Sequence, residues 1–176
     1  LMGRFLYGLK KKADYAVISL AGGQKDNAIT RECITEFLTD APEEVKAYAK
    51  ELQEQIREEY TGSDENITIE VKENGVETAQ VLHPTSQEKI VFYLQNVPFG
   101  IQKMSGTIKG LVESSSNIGI LRLDEDELFA SSSVRSSVDA ACSAISDKIE
   151  YLTEFLGGDY EVQGAYPAWE YRKILH

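Results

Sequence analysis

Histidine is scarce in this chain: among 176 residues only His83 and His176 carry imidazole, and cysteine is limited to Cys33 and Cys142. A catalytic zinc site usually takes three protein ligands with a large share of imidazole, so the chain has too few such donors to build one alone. The same scarcity weighs against a Ser-His mechanism, because none of the many serines has a histidine base close by in sequence. His83, alone in a connector before Pro84, reads as structural. The two cysteines lie far apart and read as buried, reduced thiols of a cytoplasmic protein. No apolar run reaches the length needed to span a bilayer, and no charged-then-apolar signal segment opens the chain. Basic residues are also in deficit: 18 Lys and Arg against 29 Asp and Glu leave a net charge of −11. Phosphate backbones and anionic membranes would be repelled, so the expected partners include no nucleic acid and no membrane.

What is present suits a folded domain. Hydrophobic residues make up 42% and charged residues 27%, enough for one large core or two small packed ones. Leu1 to Lys12 carries a helical stripe at positions 1, 2, 5, 6 and 9 that is already running at the first residue, as in a piece of something longer. Strand-like runs follow from Tyr15 to Leu20 and Arg31 to Leu38, with a Gly22-Gly23 loop between them. That loop is no phosphate cradle, since no Lys-Ser/Thr follows and its flanks read strand to strand. Asp40, Pro42 and Glu43 signal a helix start, and Val45, Tyr48, Ala49, Leu52 and Ile56 continue on one face. Asn66 to Lys72 alternates as a half-buried strand, with Val76 to Leu82 a further short strand or a connector. Thr85-Ser86-Gln87-Glu88 reads as a capping box opening a second helix. A glycine-bearing loop (Gly100, Gly106, Gly110) then leads to strands from Glu113 to Leu123 and Glu127 to Arg135, joined by the acidic turn Asp124-Glu125-Asp126. A long helix runs from Ser137 to Leu156, and Tyr160 to Gln163 reads as a last strand. The expected class is α+β: two ferredoxin-like halves, helices on mainly antiparallel sheet, as a pseudo-repeat of about 1–75 and 84–166.

Two side chains stand out as candidate ligand contacts. Asn27, on the Gly-flanked tip, offers an acceptor and a donor pair without charge, although Asn and Asp also favour turns for their own backbone bonding. Arg135 shares a strand face with Ser131 and Ser133, and Ser114 to Ser116 on the neighbouring strand would thicken that polar patch. A guanidinium beside small hydroxyls can grip a carboxylate bidentately; the plainer alternative is a surface arginine paired with one of the many acids. On these residues alone the chain is a binding or dimerisation module of α+β type. A non-enzymatic small-molecule-sensing domain is the competing class.

Six words, in order, add to this: Gly3-Arg4-Phe5-Leu6-Tyr7-Gly8-Leu9, Ser19-Leu20-Ala21-Gly22-Gly23-Gln24-Lys25-Asp26-Asn27-Ala28-Ile29, Met104-Ser105, Gly110-Leu111-Val112-Glu113-Ser114-Ser115-Ser116-Asn117-Ile118-Gly119, Ser133-Val134-Arg135-Ser136-Ser137 and Tyr166-Pro167-Ala168-Trp169-Glu170-Tyr171-Arg172. They resemble the bacterial aminoacyl-histidine (Xaa-His) dipeptidases of the M20 metallopeptidase family, and within them the lid, or dimerisation, domain inserted in the catalytic domain. The resemblance implies that residues 1–176 are a lid domain excised from a cytoplasmic two-zinc dipeptidase acting on Xaa-His dipeptides such as carnosine. It implies zinc bound by the catalytic domain and none by this fragment, which would be inert alone. Implied partners are that catalytic domain, the dipeptide, and a second copy through the lid. Asn27 matches the family's substrate-contacting asparagine, and Arg135 the arginine that holds the substrate's C-terminal carboxylate. Thr30 stands where the family usually has proline, a change expected to loosen the turn after Asn27.

Overall fold

The computed structural model describes residues 1–125 and 127–164; Asp126 of the acidic turn and the 166–172 word lie outside the described residues. The elements are α1 (Met2–Leu9), β1 (Ala16–Gly22), β2 (Cys33–Leu38), α2 (Pro42–Glu59), α3 (Pro84–Asn96), β3 (Gly100–Met104), β4 (Val112–Leu123), β5 (Leu128–Ser136) and α4 (Asp139–Phe155). The strands form one antiparallel sheet in the order β2-β1-β4-β3, with β5 on β4. The class is α+β, as expected. Two compact units divide the chain: Leu1–Ser19 with Thr35–Gln95, and Leu20–Ile34 with the residues from Asn96 onward.

The core of the first unit is Phe5, Leu6 and Leu9 of α1, Val45, Tyr48, Ala49, Leu52 and Ile56 of α2, and Val91 of α3. Each helix contributes the stripe that its 3/4 spacing places on one side. α1 approaches its neighbours closely because two positions lack a side chain. A Cβ on Gly3 would come within 2.7 Å of the Leu94 backbone, and one on Gly8 would overlap the Tyr48 hydroxyl. The expected strand at 66–72 half-buries Ile67, Ile69 and Val71 against this core, but it joins no ladder. Gln53 of α2 takes the place of a neighbouring strand. Its Nε2 donates to the Ile67 carbonyl at 2.8 Å, and its Oε1 accepts the Ile69 N–H at 2.5 Å. Alternation therefore reported burial correctly and the hydrogen-bond partner wrongly. The stretch 76–82 is a connector, touching β1 where Leu82 donates its N–H to the Val17 carbonyl at 2.8 Å.

Both helix starts move, α2 by one residue later and α3 by two residues earlier than expected. α2 begins after Ala41, whose N–H is accepted by Thr39 Oγ1 at 3.2 Å. α3 begins at Pro84, with His83 Nδ1 accepting the Thr85 N–H at 3.2 Å. Gln87, read as part of a capping box, instead bonds β1 through Tyr15 and Val17.

In the second unit β4 organises the rest. β5 pairs along it from Ser114 to Leu123, while β3 pairs at 112–116 and β1 at Leu121 and Arg122. A strand has two edges, so β1 and β3 share the edge opposite β5. α4 lies against β4 and β5 and buries Ile145 and Ile149. β3 was expected to be loop. Four of its five residues are exposed, so it carries no alternation of the kind that marks a half-buried strand. Tyr160 to Gln163, expected as a strand, joins none among the described residues.

Candidate functional site

Asn27 and Arg135 both belong to the second unit, and β4 relates them. Buried side chains on β4 alternate through Ser114, Ser116 and Ile118, so Glu113, Ser115 and Asn117 point to the other, more open face. Across the ladder Arg135 pairs with Ser115, Ser133 with Asn117 and Ser131 with Ile120. Arg135, Ser133 and Ser131 therefore share that open face. Arg135 is exposed and forms no ion pair among the described residues. The patch around it is smaller than expected. Only Ser115 of the three β4 serines faces Arg135; Ser114 and Ser116 are 2% and 0% exposed on the opposite face, where Ser114 Oγ lies 2.9 Å from Ser136 Oγ. Glu113 is engaged by Lys103 of β3, 2.7 Å away.

The loop between β1 and β2 reaches the same face. β4 has an irregularity between Ile118 and Ile120 that places one extra residue, Gly119, against β5. Counting on from Asn117, Gly119 turns its missing side chain to the open face. A Cβ there would overlap the carbonyls of Lys25 and Asp26, so the loop backbone lies directly on Gly119. Gly23 makes the reciprocal contact: it has φ +71°, and a Cβ on it would overlap the Gly119 carbonyl. A turn closed by the Ala28 N–H on the Lys25 carbonyl at 3.2 Å then holds Asp26 and Asn27 at its two central positions, and Asn27 is exposed. Thr30, the position expected to loosen this turn, is bonded to the sheet. Its hydroxyl donates to the Ile118 carbonyl and ties the returning chain to β4.

The separation along the strand is set by register. Four residue steps separate Ser115, opposite Arg135, from Gly119, beneath the loop, which is about 13 Å of strand. An extended dipeptide spans about 7 Å, and an arginine side chain is long enough to cover the rest. Arg135 supplies a cation at one end of this face, Asn27 an uncharged donor and acceptor at the other, and Ser133 and Asn117 line the floor between them. Sequence reasoning passed over Asn117 and Gly119. A lone glycine inside a strand pattern, the sign of a bulge or a close backbone approach, was the available signal for the second.

Among the described residues no three His, Cys, Asp or Glu side chains come together in a way that could hold a metal ion. Cys33, against Gly22 at the start of β2, is a free thiol pushed up to about 11 by burial. Among the described residues no helix is long and apolar enough to cross a membrane.

No protein-family model matches the chain. The chain is 26% identical over 172 residues to the cytosol non-specific dipeptidase of Escherichia coli (strain K12), a match covering 97% of this chain and 35% of that protein. Among solved structures, aminoacylhistidine dipeptidase from Vibrio alginolyticus aligns with a TM-score of 0.84 at 26% identity, over 96% of this chain and 35% of that one. The resemblance read from the six words is thus borne out. The chain is related over nearly its full length to these dipeptidases, and it spans about a third of theirs.

Proposed function

We propose that this chain is the lid domain of a zinc dipeptidase, and that it binds the substrate without performing the chemistry. The observation that carries this reading is the shared open face of β4 and β5, with Arg135 at one end and the Asn27 loop laid across the other. Arg135 takes the free carboxylate of a dipeptide through a charge-assisted, two-point contact. Asn27 bonds a carbonyl or amide nearer the scissile bond, where an uncharged group can both donate and accept. The two zinc ions and the general base belong to a catalytic domain that is this chain's partner, and a second copy pairs through the lid. Xaa-His dipeptides are the substrates, in line with the solved relative's name. The location is the cytoplasm.

The test is made in the dipeptidase that carries this chain. Arg135→Ala should raise KM for dipeptides by roughly thirty- to a hundred-and-fiftyfold, the loss of about 2–3 kcal/mol from one charge-assisted pair. Dipeptide amides, which lack the carboxylate, should be unaffected. An unchanged KM for free dipeptides removes Arg135 from the site. Turnover of carnosine by the 176-residue chain with zinc would overturn its inertness.

A further inference from the structure

We propose that Thr30 and Gly119 are positioning residues that hold the Asn27 turn at its place over β4; this rests on the reading of Asn27 as a substrate contact.

Three contacts converge on one short stretch of β4. Gly119 admits the Lys25 and Asp26 carbonyls where any side chain would overlap them, Gly23 lies on the Gly119 carbonyl, and the Thr30 hydroxyl bonds the carbonyl of Ile118. The first two act on the outgoing half of the loop and the third on the returning half. Asn27 sits between them with its side chain exposed, and the turn hydrogen bond from Ala28 to Lys25 is the local bond that shapes its backbone. A turn fastened on both sides presents one orientation of its tip, whereas a turn fastened at one end samples several, and each unproductive orientation weakens apparent binding. Where proline would restrict this position by fixing φ, Thr30 restricts it by a bond to the sheet. Its methyl group plays no part in that bond, so serine should replace threonine and valine should not.

In the dipeptidase that carries this chain, Thr30→Val should raise KM for dipeptides three- to tenfold with kcat within twofold, and Thr30→Ser should restore KM. Gly119→Ala should raise KM at least as much. Asn27→Ala serves as the reference. If it raises KM while Thr30→Val and Gly119→Ala do not, the positioning role is overturned and the substrate reading stands. If Asn27→Ala leaves KM unchanged, the substrate reading falls and this inference with it. A second measurement needs no catalysis and covers the case in which Gly119→Ala fails to fold. In the 176-residue chain, Thr30→Val should speed hydrogen exchange of the Ala28 amide, the loop N–H closed on the Lys25 carbonyl, at least tenfold and leave β4 and β5 protected. Unchanged exchange in that loop overturns the proposal.

Discussion

Gln87 accepts the backbone N–H of Val17 on Oε1 at 2.7 Å, and its Nε2 donates to the carbonyl of Tyr15 at 3.0 Å. One side chain on α3 thereby satisfies the donor and acceptor that the start of β1 presents to it. Gln87→Ala strands both groups at part-buried positions. A buried polar group left without a partner costs about 1–3 kcal/mol, so a loss of about 2 kcal/mol is expected in urea unfolding. Gln87→Glu keeps the acceptor but sets a carboxylate against the Tyr15 carbonyl, and should recover little. A loss under about 0.5 kcal/mol for Gln87→Ala would show that water replaces the amide at no cost.

Gly3 and Gly8 both lie in α1, where alanine is the better helix former by about 1 kcal/mol. Packing decides against it at Gly3. The atoms a new Cβ would meet are the carbonyl carbon and oxygen of Leu94, both at 2.7 Å, and backbone cannot swing aside. Overpacking of this kind costs about 1–3 kcal/mol, so Gly3→Ala should be destabilising by thermal or urea unfolding in spite of its helix propensity. At Gly8 the obstacle is the far end of the Tyr48 side chain. Gly8→Ala should cost less, and Gly8→Ala with Tyr48→Phe less again. Equal losses at the two glycines would mean that α1 shifts as a body.

These two cases show what the sequence could and could not carry. Helices with long apolar stripes, such as the face from Val45 to Ile56, were legible because burial alone sets their period. β4 and β5 were legible to within a residue at each end for similar reasons. Partners were not legible. The alternation at 66–72 reports burial against a core, yet nothing in it says that the amide of Gln53, and not a strand, meets its backbone. β3 was missed because exposure on both sides erases the pattern. In the candidate site, residue type and the family words singled out Asn27 and Arg135. The sorting of Ser115 from Ser114 and Ser116, and the contact of Gly119 with the loop, needed the register of β4 and the bulge within it.

Cys33 supplies a pH test. Burial raises its thiol from an ordinary value near 9 to about 11. A raised folded-state pKa means that the protonated thiol is favoured by folding. Its stabilising contribution is complete below pH 9 and is lost as pH rises from about 9 to about 11. Urea midpoints measured across that window should fall for the parent chain and fall less for Cys33→Ala. In a Cys142→Ala background, alkylation of Cys33 at pH 8 should be slower than that of a free thiol by more than tenfold, because the thiolate is the nucleophile. A Cys33 alkylation rate that levels off below pH 9 would contradict the burial.

The two faces of β4 make opposite predictions for adjacent serines. Ser116 is 0% exposed, and its hydroxyl finds no hydrogen-bond partner among the described residues. Removing a buried, unsatisfied hydroxyl recovers part of its desolvation cost, so Ser116→Ala should be neutral or stabilising by about 1 kcal/mol. Ser114, 2% exposed on the same face, pairs with Ser136 at 2.9 Å. Ser114→Ala leaves the Ser136 hydroxyl with only the Val138 N–H at 3.1 Å, and should cost about 1 kcal/mol. Ser115 points to the open face opposite Arg135, so Ser115→Ala should leave unfolding within about 0.5 kcal/mol of the parent. In the proposed dipeptidase it should act on KM instead. Loss of stability at Ser115 with none at Ser114 would mean that the faces are assigned the wrong way round, and would move Arg135 out of the open surface together with it.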